Sequence, residues 1–325
     1  MVLPVYNSAK VLPAALAELD RQSFKDREII VVDDGSTDET WGTAQALSAG
    51  RDDVVLVRTE HLGPAHARNA GLERSRGDIV FFSESDCVYD AMYLQRAVDR
   101  LDSQKDAAAV CLTGAPLITR VTMATNCIDI ENKVQHRLLG EGKIQPFYAW
   151  VYRREVLLKL GGFDDRLFQG EDRDLFRRLK NADYVVAWVP GVNWRHERNQ
   201  TTPELAKKWI GRGRTRLLYL MKHRRLFEIL KTMVPFWATV IGLVLLPFFP
   251  LVGAMLLILV AAAFVASTVR IMKISWPLVQ RKRTYAGYPL FILIRSFSTA
   301  IGYSLAFVMV LVRKMQRREL AWSSV

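Results

Sequence analysis

EIIVVDDGSTDET, residues 28–40, is the stretch on which the reading of the fold turns. Its apolar run Ile29–Val32 is short, β-branched and without alternation, as in a parallel strand covered on both faces. Asp33 and Asp34 stand at the C-terminal end of that strand, and Ser36 and Glu39 are spaced as a capping box for the helix that should follow. Outward from this stretch, VLPV (2–5), VVLV (54–57), DIVFF (78–82) and AAAVCL (107–112) alternate with amphipathic segments such as VLPAALAEL (11–19) and MYLQRAVDRL (92–101). The alternation predicts a largely parallel sheet flanked by helices, with 114–146 left as mixed loop and helix. Ligands in open α/β sheets bind at the C-terminal strand ends, where a carboxylate can accept hydrogen bonds from a nucleotide's base or ribose. No G-x-G-x-x-G follows the first strand, so a dinucleotide fingerprint is absent.

Charge divides the chain. Up to Thr202 there are 26 Lys and Arg against 30 Asp and Glu, and beyond it 19 against 3, so the net +12 belongs to the C-terminal part. That asymmetry excludes a nucleic-acid reading for the whole chain and points to anionic lipid headgroups. Cys87, Cys111 and Cys127 form no C-x-x-C pair, which fits a reducing compartment better than a disulfide framework or a thiolate zinc site. The opening MVLPVYNSAK lacks the regions of a signal peptide, and the first domain is expected in the cytosol. Its strand begins abruptly, as at a trimmed or misassigned start.

From Pro203 to Lys231, cations such as Lys207, Arg212 and Arg225 interleave with Trp209, Leu217 and Tyr219, the composition of a helix lying at a membrane surface. No charge then occurs between Lys231 and Arg270. As one helix this run would be about 57 Å long at about 1.5 Å per residue, against a hydrocarbon core of about 30 Å. Pro247 and Pro250 interrupt it, which predicts a hairpin of spans at 233–248 and 251–269 with basic flanks on the cytosolic side. A third apolar segment, 286–312, contains Arg295 and has basic clusters on both flanks, so it reads as a membrane or re-entrant segment.

The segment GPAHARNAGLERSRGDIVFFSESDC, 63–87, runs from a helix bearing Arg68 into a strand ending in Glu84-Ser85-Asp86. Carboxylates two apart on an extended chain face the same side. Such oxygens bind Mg²⁺ or Mn²⁺ and, through it, a diphosphate. GEDRDLFRRL, 170–179, reads as a helix start, with Glu171 and Asp172 in the first turn complementing the helix dipole. Trp150, Trp188 and Trp194 read as core.

Five motifs in this order, VLPVYN (2–7), VVDDGSTDET (31–40), GPAHARNAG (63–71), SRGDIVFFSESD (75–86) and LGGFDDRLFQGEDRDLFRRL (160–179), strongly resemble the family 2 glycosyltransferases. The likeness covers about residues 1–200. It implies an α/β catalytic domain of the GT-A fold at 1–202, to which the composition adds a basic interfacial helical linker at 203–231 and an α-helical membrane domain at 232–325. It also implies a nucleoside-diphosphate-sugar donor and inversion at the anomeric carbon. By position, Tyr6 would stack near the base, Asp33 and Asp34 would hold the nucleoside, and Arg68, Pro4 and Ser85 would serve the donor. Glu84 and Asp86 match the family's Asp-x-Asp metal motif, with Glu at its first position and Cys87 where an acidic residue often follows. Asp172 would be the general base, with Glu171 assisting acceptor placement. His196, in WVPGVNWRHERNQT (188–201), would complete the metal shell.

The expected protein is thus a multi-pass membrane enzyme with a cytoplasmic catalytic domain and an Mg²⁺ or Mn²⁺ cofactor, transferring one sugar to a lipid-linked or glycan acceptor. Polyprenyl-phosphate sugar synthases also join such a domain to membrane helices, but they generally lack the GGFDD…ED segment. A processive polysaccharide synthase would carry Q-x-x-R-W after the Glu-Asp pair, and none is found. A non-catalytic nucleotide-binding scaffold is disfavoured by the intact Asp86 and Asp172.

Overall fold

The computed structural model describes residues 1–117, 122–140, 150–167, 170–197, 201–278, 285 and 287–315. The chain divides into two compact units, Met1–Leu117 with Leu138–Glu197, and Ile118–Arg137 with Arg198–Val325. The second unit therefore takes in residues 118–137, from within the segment read as mixed loop and helix.

In the first unit, β1 (Val2–Val5), β2 (Ile29–Asp34) and β3 (Val54–Thr59) form a parallel sheet in the order β1-β2-β3. Every residue of β2 is buried, as its unbroken apolar run requires at the centre of a sheet covered on both faces. A second sheet holds β4 (Ile79–Phe81), β5 (Cys87–Tyr89), β6 (Ala107–Leu117), β7 (Val151–Arg153) and β8 (Val185–Glu197) in the order β4-β7-β6-β8-β5. Only β6 and β8 run parallel there, so the largely parallel pattern holds in the first half and gives way to antiparallel pairs in the second. A parallel bridge between Val2 and Phe82 joins β1 to the residue after β4.

Helices cover the sheets with apolar stripes at helical spacing. α1 (Leu12–Asp20) buries Leu12, Ala15, Leu16 and Leu19. The next, α2 (Thr40–Ser48), lacks the expected capping box: its N-cap residue is Glu39, with no side-chain cap bond. The Ser36 hydroxyl instead accepts the Asn7 N–H at 2.9 Å, and Asp38 receives the N–H of Thr40 at 3.0 Å. α3 (Pro64–Arg74) lies so close to β1 that a Cβ on Gly71 would sit 2.3 Å from a Val2 methyl. Only glycine allows that approach, and it sets where Arg68 points. α4 (Tyr93–Ser103) packs Tyr93, Leu94, Ala97 and Leu101 inward. α5 (Met123–Gly140) follows, its residues through Arg137 belonging to the second unit. α6 (Arg154–Lys159) and α7 (Glu171–Asn181) complete the first unit.

The second unit is helical: α8 (Thr202–Lys222), α9 (Leu226–Leu245), α10 (Pro250–Ser275) and α11 (Tyr288–Met315). α8 does open on a capping box, made by Thr201 and Glu204. The break falls at the expected prolines, with Pro250 in the first turn of α10. α9, α10 and residues 288–309 of α11 are long and apolar enough to cross a membrane. α8 is more than a surface linker. A Cβ on Gly302 of α11 would lie 2.8 Å from the Gly213 Cα of α8, so the two backbones touch. Its Leu205 and Trp209 share a core with Cys127 and Ile130 of α5 and with Tyr288 and Phe291 of α11. That shared core is why residues 118–137 group with this unit. Within it, Arg295 pairs with Glu131, which also accepts the Tyr288 hydroxyl at 3.1 Å.

Candidate active site

Asp33 is fully buried, one carboxylate oxygen taken by its own turn and the other facing Arg58 of β3. Its Oδ1 accepts the Ser36 N–H at 3.0 Å, and its Oδ2 lies 3.3 Å from Arg58 Nε. Arg58 also donates to the Ser36 carbonyl and sits over the Trp41 ring at 5.4 Å. Asp34 faces the loop that leads into α3. It accepts the N–H of Leu62 at 3.1 Å and of Gly63 at 3.1 and 3.3 Å, and its Oδ2 lies 2.9 Å from His61 Nδ1. These contacts occupy most of what a carboxylate can accept. The imidazole so held stacks on Tyr6, with ring centroids 3.8 Å apart and planes 13° from parallel. Tyr6 is 41% exposed, so one side of this aromatic pair remains open to a ligand. Pro4 is half-buried in β1, in register with Val32.

Arg68 is the second focus. It is 5% exposed, lies 5.7 Å from the Trp150 ring and 5.5 Å from that of Phe163, and donates to Glu171 Oε1 at 2.5 Å. Its other terminal nitrogen is 3.7 Å from Glu84 Oε1. The expected donor-side residue is thus a cation between the two acidic motifs. Burial works against the Arg68 charge, yet the carboxylates of Glu171 and Glu84 outweigh it and raise the pKa further. Burial pushes Glu171 up to about 7, against the pull of Arg68 and with the charge of Asp172 adding to the rise. Asp172, half-buried one position on, accepts the Arg173 N–H at 2.7 Å.

Glu84, Ser85 and Asp86 lie in a turn between β4 and β5, not on extended chain as expected. The turn nonetheless brings ligand atoms of Glu84, Asp86 and Cys87 within 4.8 Å of one another. The buried Tyr89 hydroxyl braces it, accepting the Glu84 N–H at 3.1 Å. Burial, then the charges of Glu84 and Asp86, push the Cys87 thiol far up, and sulfur is a softer ligand than Mg²⁺ or Mn²⁺ takes. Two carboxylates remain, a hard oxygen pair suited to Mg²⁺ or Mn²⁺. The backbone of His196 pairs opposite Cys87 in the β5–β8 register. Its side chain, like that of Trp194, lies outside the described residues.

Sequence reasoning missed His61, Arg58 and the clamp that fixes α7. Asn69, next to Arg68, donates to the Phe163 carbonyl at 2.9 Å and accepts the Phe163 N–H at 2.8 Å. Arg178, held by the buried Asp174 at 2.8 Å, donates to the carbonyls of Leu160 at 2.7 Å and Gly162 at 2.6 Å. The GGFDD loop is thereby tied to α3 on one side and α7 on the other. The signal was present in the spacing of Asp174 and Arg178, an i,i+4 pair on one helix face.

A mixed α/β sheet that gathers a buried arginine, two acidic motifs and an open aromatic pair at its strand ends is a domain of the GT-A type. Residues 1–161 match the model of Glycosyl transferase family 2, and the chain carries a domain of that family. Glycosyltransferase AglE of Haloferax volcanii is 26% identical over 239 residues, 70% of this chain and 77% of that protein. Probable glycosyltransferase YdaM of Bacillus subtilis is 29% identical over 230 residues, 66% of this chain and 53% of the relative. Among solved structures, the mannosyltransferase PcManGT from Pyrobaculum calidifontis, in complex with GDP-Man and Mn²⁺, aligns with a TM-score of 0.56. That alignment covers 98% of this chain and 87% of the other at 20% identity, a likeness of fold.

Proposed function

We propose that the chain is a multi-pass membrane glycosyltransferase that moves one sugar from a nucleoside diphosphate to a hydroxyl of a lipid-linked or glycan acceptor, with inversion. The observation that carries this reading is Arg68, which pairs with Glu84 of one acidic motif and with Glu171 of the other and so brings together carboxylates far apart in sequence. Glu84 and Asp86 would hold a divalent ion, Mg²⁺ or Mn²⁺, which when bound offsets the charge of the departing nucleoside diphosphate. Tyr6 and His61 supply an aromatic face for the base, beside Pro4, Asp33 and Asp34, and Ser85 lies in the turn between the two carboxylates. Arg68 holds Glu171 in place by charge and hydrogen bond, and Glu171 positions the first turn of α7.

Asp172 accepts the proton of the acceptor hydroxyl as its oxygen attacks the anomeric carbon. The bond to the diphosphate breaks on the opposite face, and the nucleoside diphosphate leaves. The basic flanks of the apolar helices favour a cytoplasmic catalytic domain. The test is transfer from labelled nucleotide sugars into a membrane extract by the full chain, with Mn²⁺. Asp172→Asn should cut transfer by about 10²–10⁴-fold, the worth of a positioned base, while donor affinity stays within about twofold. Normal turnover by the Asn variant would remove the base assignment.

A further inference from the structure

Arg68 brings one positive charge to two carboxylates of different motifs. Its Nη1 donates to Glu171 Oε1 at 2.5 Å, while its Nη2 stands 3.7 Å from Glu84 Oε1, beyond a hydrogen bond but close for two charges. The side chain is 6% exposed, its Nε is buried without a hydrogen-bond partner, and the rings of Trp150 and Phe163 lie 5.7 and 5.5 Å from the guanidinium. A cation so enclosed has no water to turn to when one carboxylate is withdrawn, and a buried charge left alone is strongly unfavourable. The other carboxylate is what it can follow. Closing the gap to Glu84 by about 0.8 Å would turn that contact into a charge-assisted hydrogen bond. The two acids also differ in what else reaches them. Glu171 is 10% exposed and faces inward, whereas Glu84 is 29% exposed and shares its turn with Asp86.

We infer that Arg68 is a shared counter-ion that couples the cation ligands Glu84 and Asp86 to the first turn of α7, so that filling one side of the site favours the other. The coupling rests on the reading of Glu84 and Asp86 as cation ligands given above. With Glu84 engaged by a divalent ion, Arg68 is left wholly to Glu171, and the turn that carries Asp172 is held. In the other direction, taking the charge from Glu171 sends Arg68 to Glu84, where it competes with the ion. Such a linkage is reciprocal by thermodynamic necessity. Arg68 is thereby a positioning residue, acting through the two carboxylates it divides its charge between. An acceptor that arrives after the ion and diphosphate meets a base turn already fixed.

The test is Mn²⁺ alone, without nucleotide, titrated into the full chain in detergent at pH 8, above the value of about 7 to which burial pushes Glu171, with free Mn²⁺ read by electron paramagnetic resonance. Asp86→Ala, which removes a ligand, should abolish specific binding. Glu171→Gln touches no ligand, yet it should weaken Mn²⁺ about tenfold, the worth of the charge-assisted hydrogen bond that Arg68 then makes to Glu84. Adding Arg68→Gln to Glu171→Gln should bring affinity back to within about threefold of the wild type, a second loss that repairs the first. Asp172→Asn removes a charge from the same turn but not the one Arg68 holds, and should shift Mn²⁺ by no more than about twofold. Arg68→Gln alone strands the Glu171 charge and lowers stability, so the neutral pair is the decisive variant, and melting of each is recorded. Asp86-dependent binding that ignores Glu171→Gln overturns the coupling and leaves the ion site standing. So does a double variant no tighter than Glu171→Gln, or an equal loss in Asp172→Asn. Absent binding, or binding that survives Asp86→Ala, overturns the ion reading and the coupling with it.

Discussion

Asp33 and Asp34 end β2, and Glu84 and Asp86 lie just beyond β4, yet the first pair is buried and the second reaches solvent. Asp34 is filled by the N–H groups of Leu62 and Gly63 and by His61, so it acts through the loop it closes and the Tyr6–His61 stack it orients. Glu84 and Asp86 sit in a turn braced from below by Tyr89, with Asp86 exposed. The backbone has saturated the first kind of carboxylate, which orders its loop; the second kind reaches solvent, and the proposed ion site draws on it.

The sharpest way to break this contrast is to delete one member of each pair. Asp34→Ala leaves the Leu62 and Gly63 N–H groups without their acceptor, at about 1–3 kcal/mol for each buried donor. A net loss of about 3 kcal/mol lowers melting by roughly 6–12 °C in a domain of this size. Asp86→Ala, exposed, should change stability by no more than about 0.5 kcal/mol while removing transfer. Melting of the full chain in detergent, followed by tryptophan fluorescence, separates them. Equal losses would show that both pairs are structural.

Much of the scaffold is legible in the residues themselves. The apolar runs at 2–5, 29–32, 54–57, 79–81 and 107–112 are strands, Glu171 does open a helix, and the prolines at 247 and 250 do separate the apolar helices α9 and α10. What escaped is what depends on partners far along the chain. β5 and β7 are three residues each, too short for periodicity, and their antiparallel pairing turns the second sheet from parallel to mixed. Arg68 gave no local hint that it would lie between Glu84 and Glu171, since that place comes from α3 pressing onto β1 at Gly71. The Ser36–Glu39 pattern misled because Asn7, a neighbour only after folding, takes the Ser36 hydroxyl. Likewise, the basic run after Pro203 reads as a surface helix until Gly302 offers α8 a backbone to rest on.

A smaller effect sharpens the ligand side. Mn²⁺ that binds the folded chain through Glu84 and Asp86 should stabilise it by about 2.7 kcal/mol at a hundred times its Kd. Asp86→Ala should abolish that gain, and Asp34→Asn should keep it on a lower baseline. Melting with Mn²⁺ titrated in reads both, and a gain that survives Asp86→Ala would move the ion elsewhere.

Glu171 shares features of both pairs, buried like Asp34 yet beside Asp172, the proposed base, and its titration decides which it resembles. Its folded pKa, pushed up to about 7 by burial, exceeds the unfolded value of 4.5, so between these limits the folded chain holds a proton that the unfolded chain has released. Stability should therefore fall as pH rises from 4.5 to about 7 and level off above, by on the order of 1 kcal/mol per pH unit at most. The window is isolated by comparing the wild type with Glu171→Gln, whose amide does not titrate, in melts at intervals from pH 4.5 to 8. Were the wild type instead to gain on the Gln variant through that range, the Arg68 ion pair would outweigh burial. Glu171 would then belong with Asp34 as a charge the fold requires, leaving Asp172 the single carboxylate of α7's first turn free to work on an acceptor.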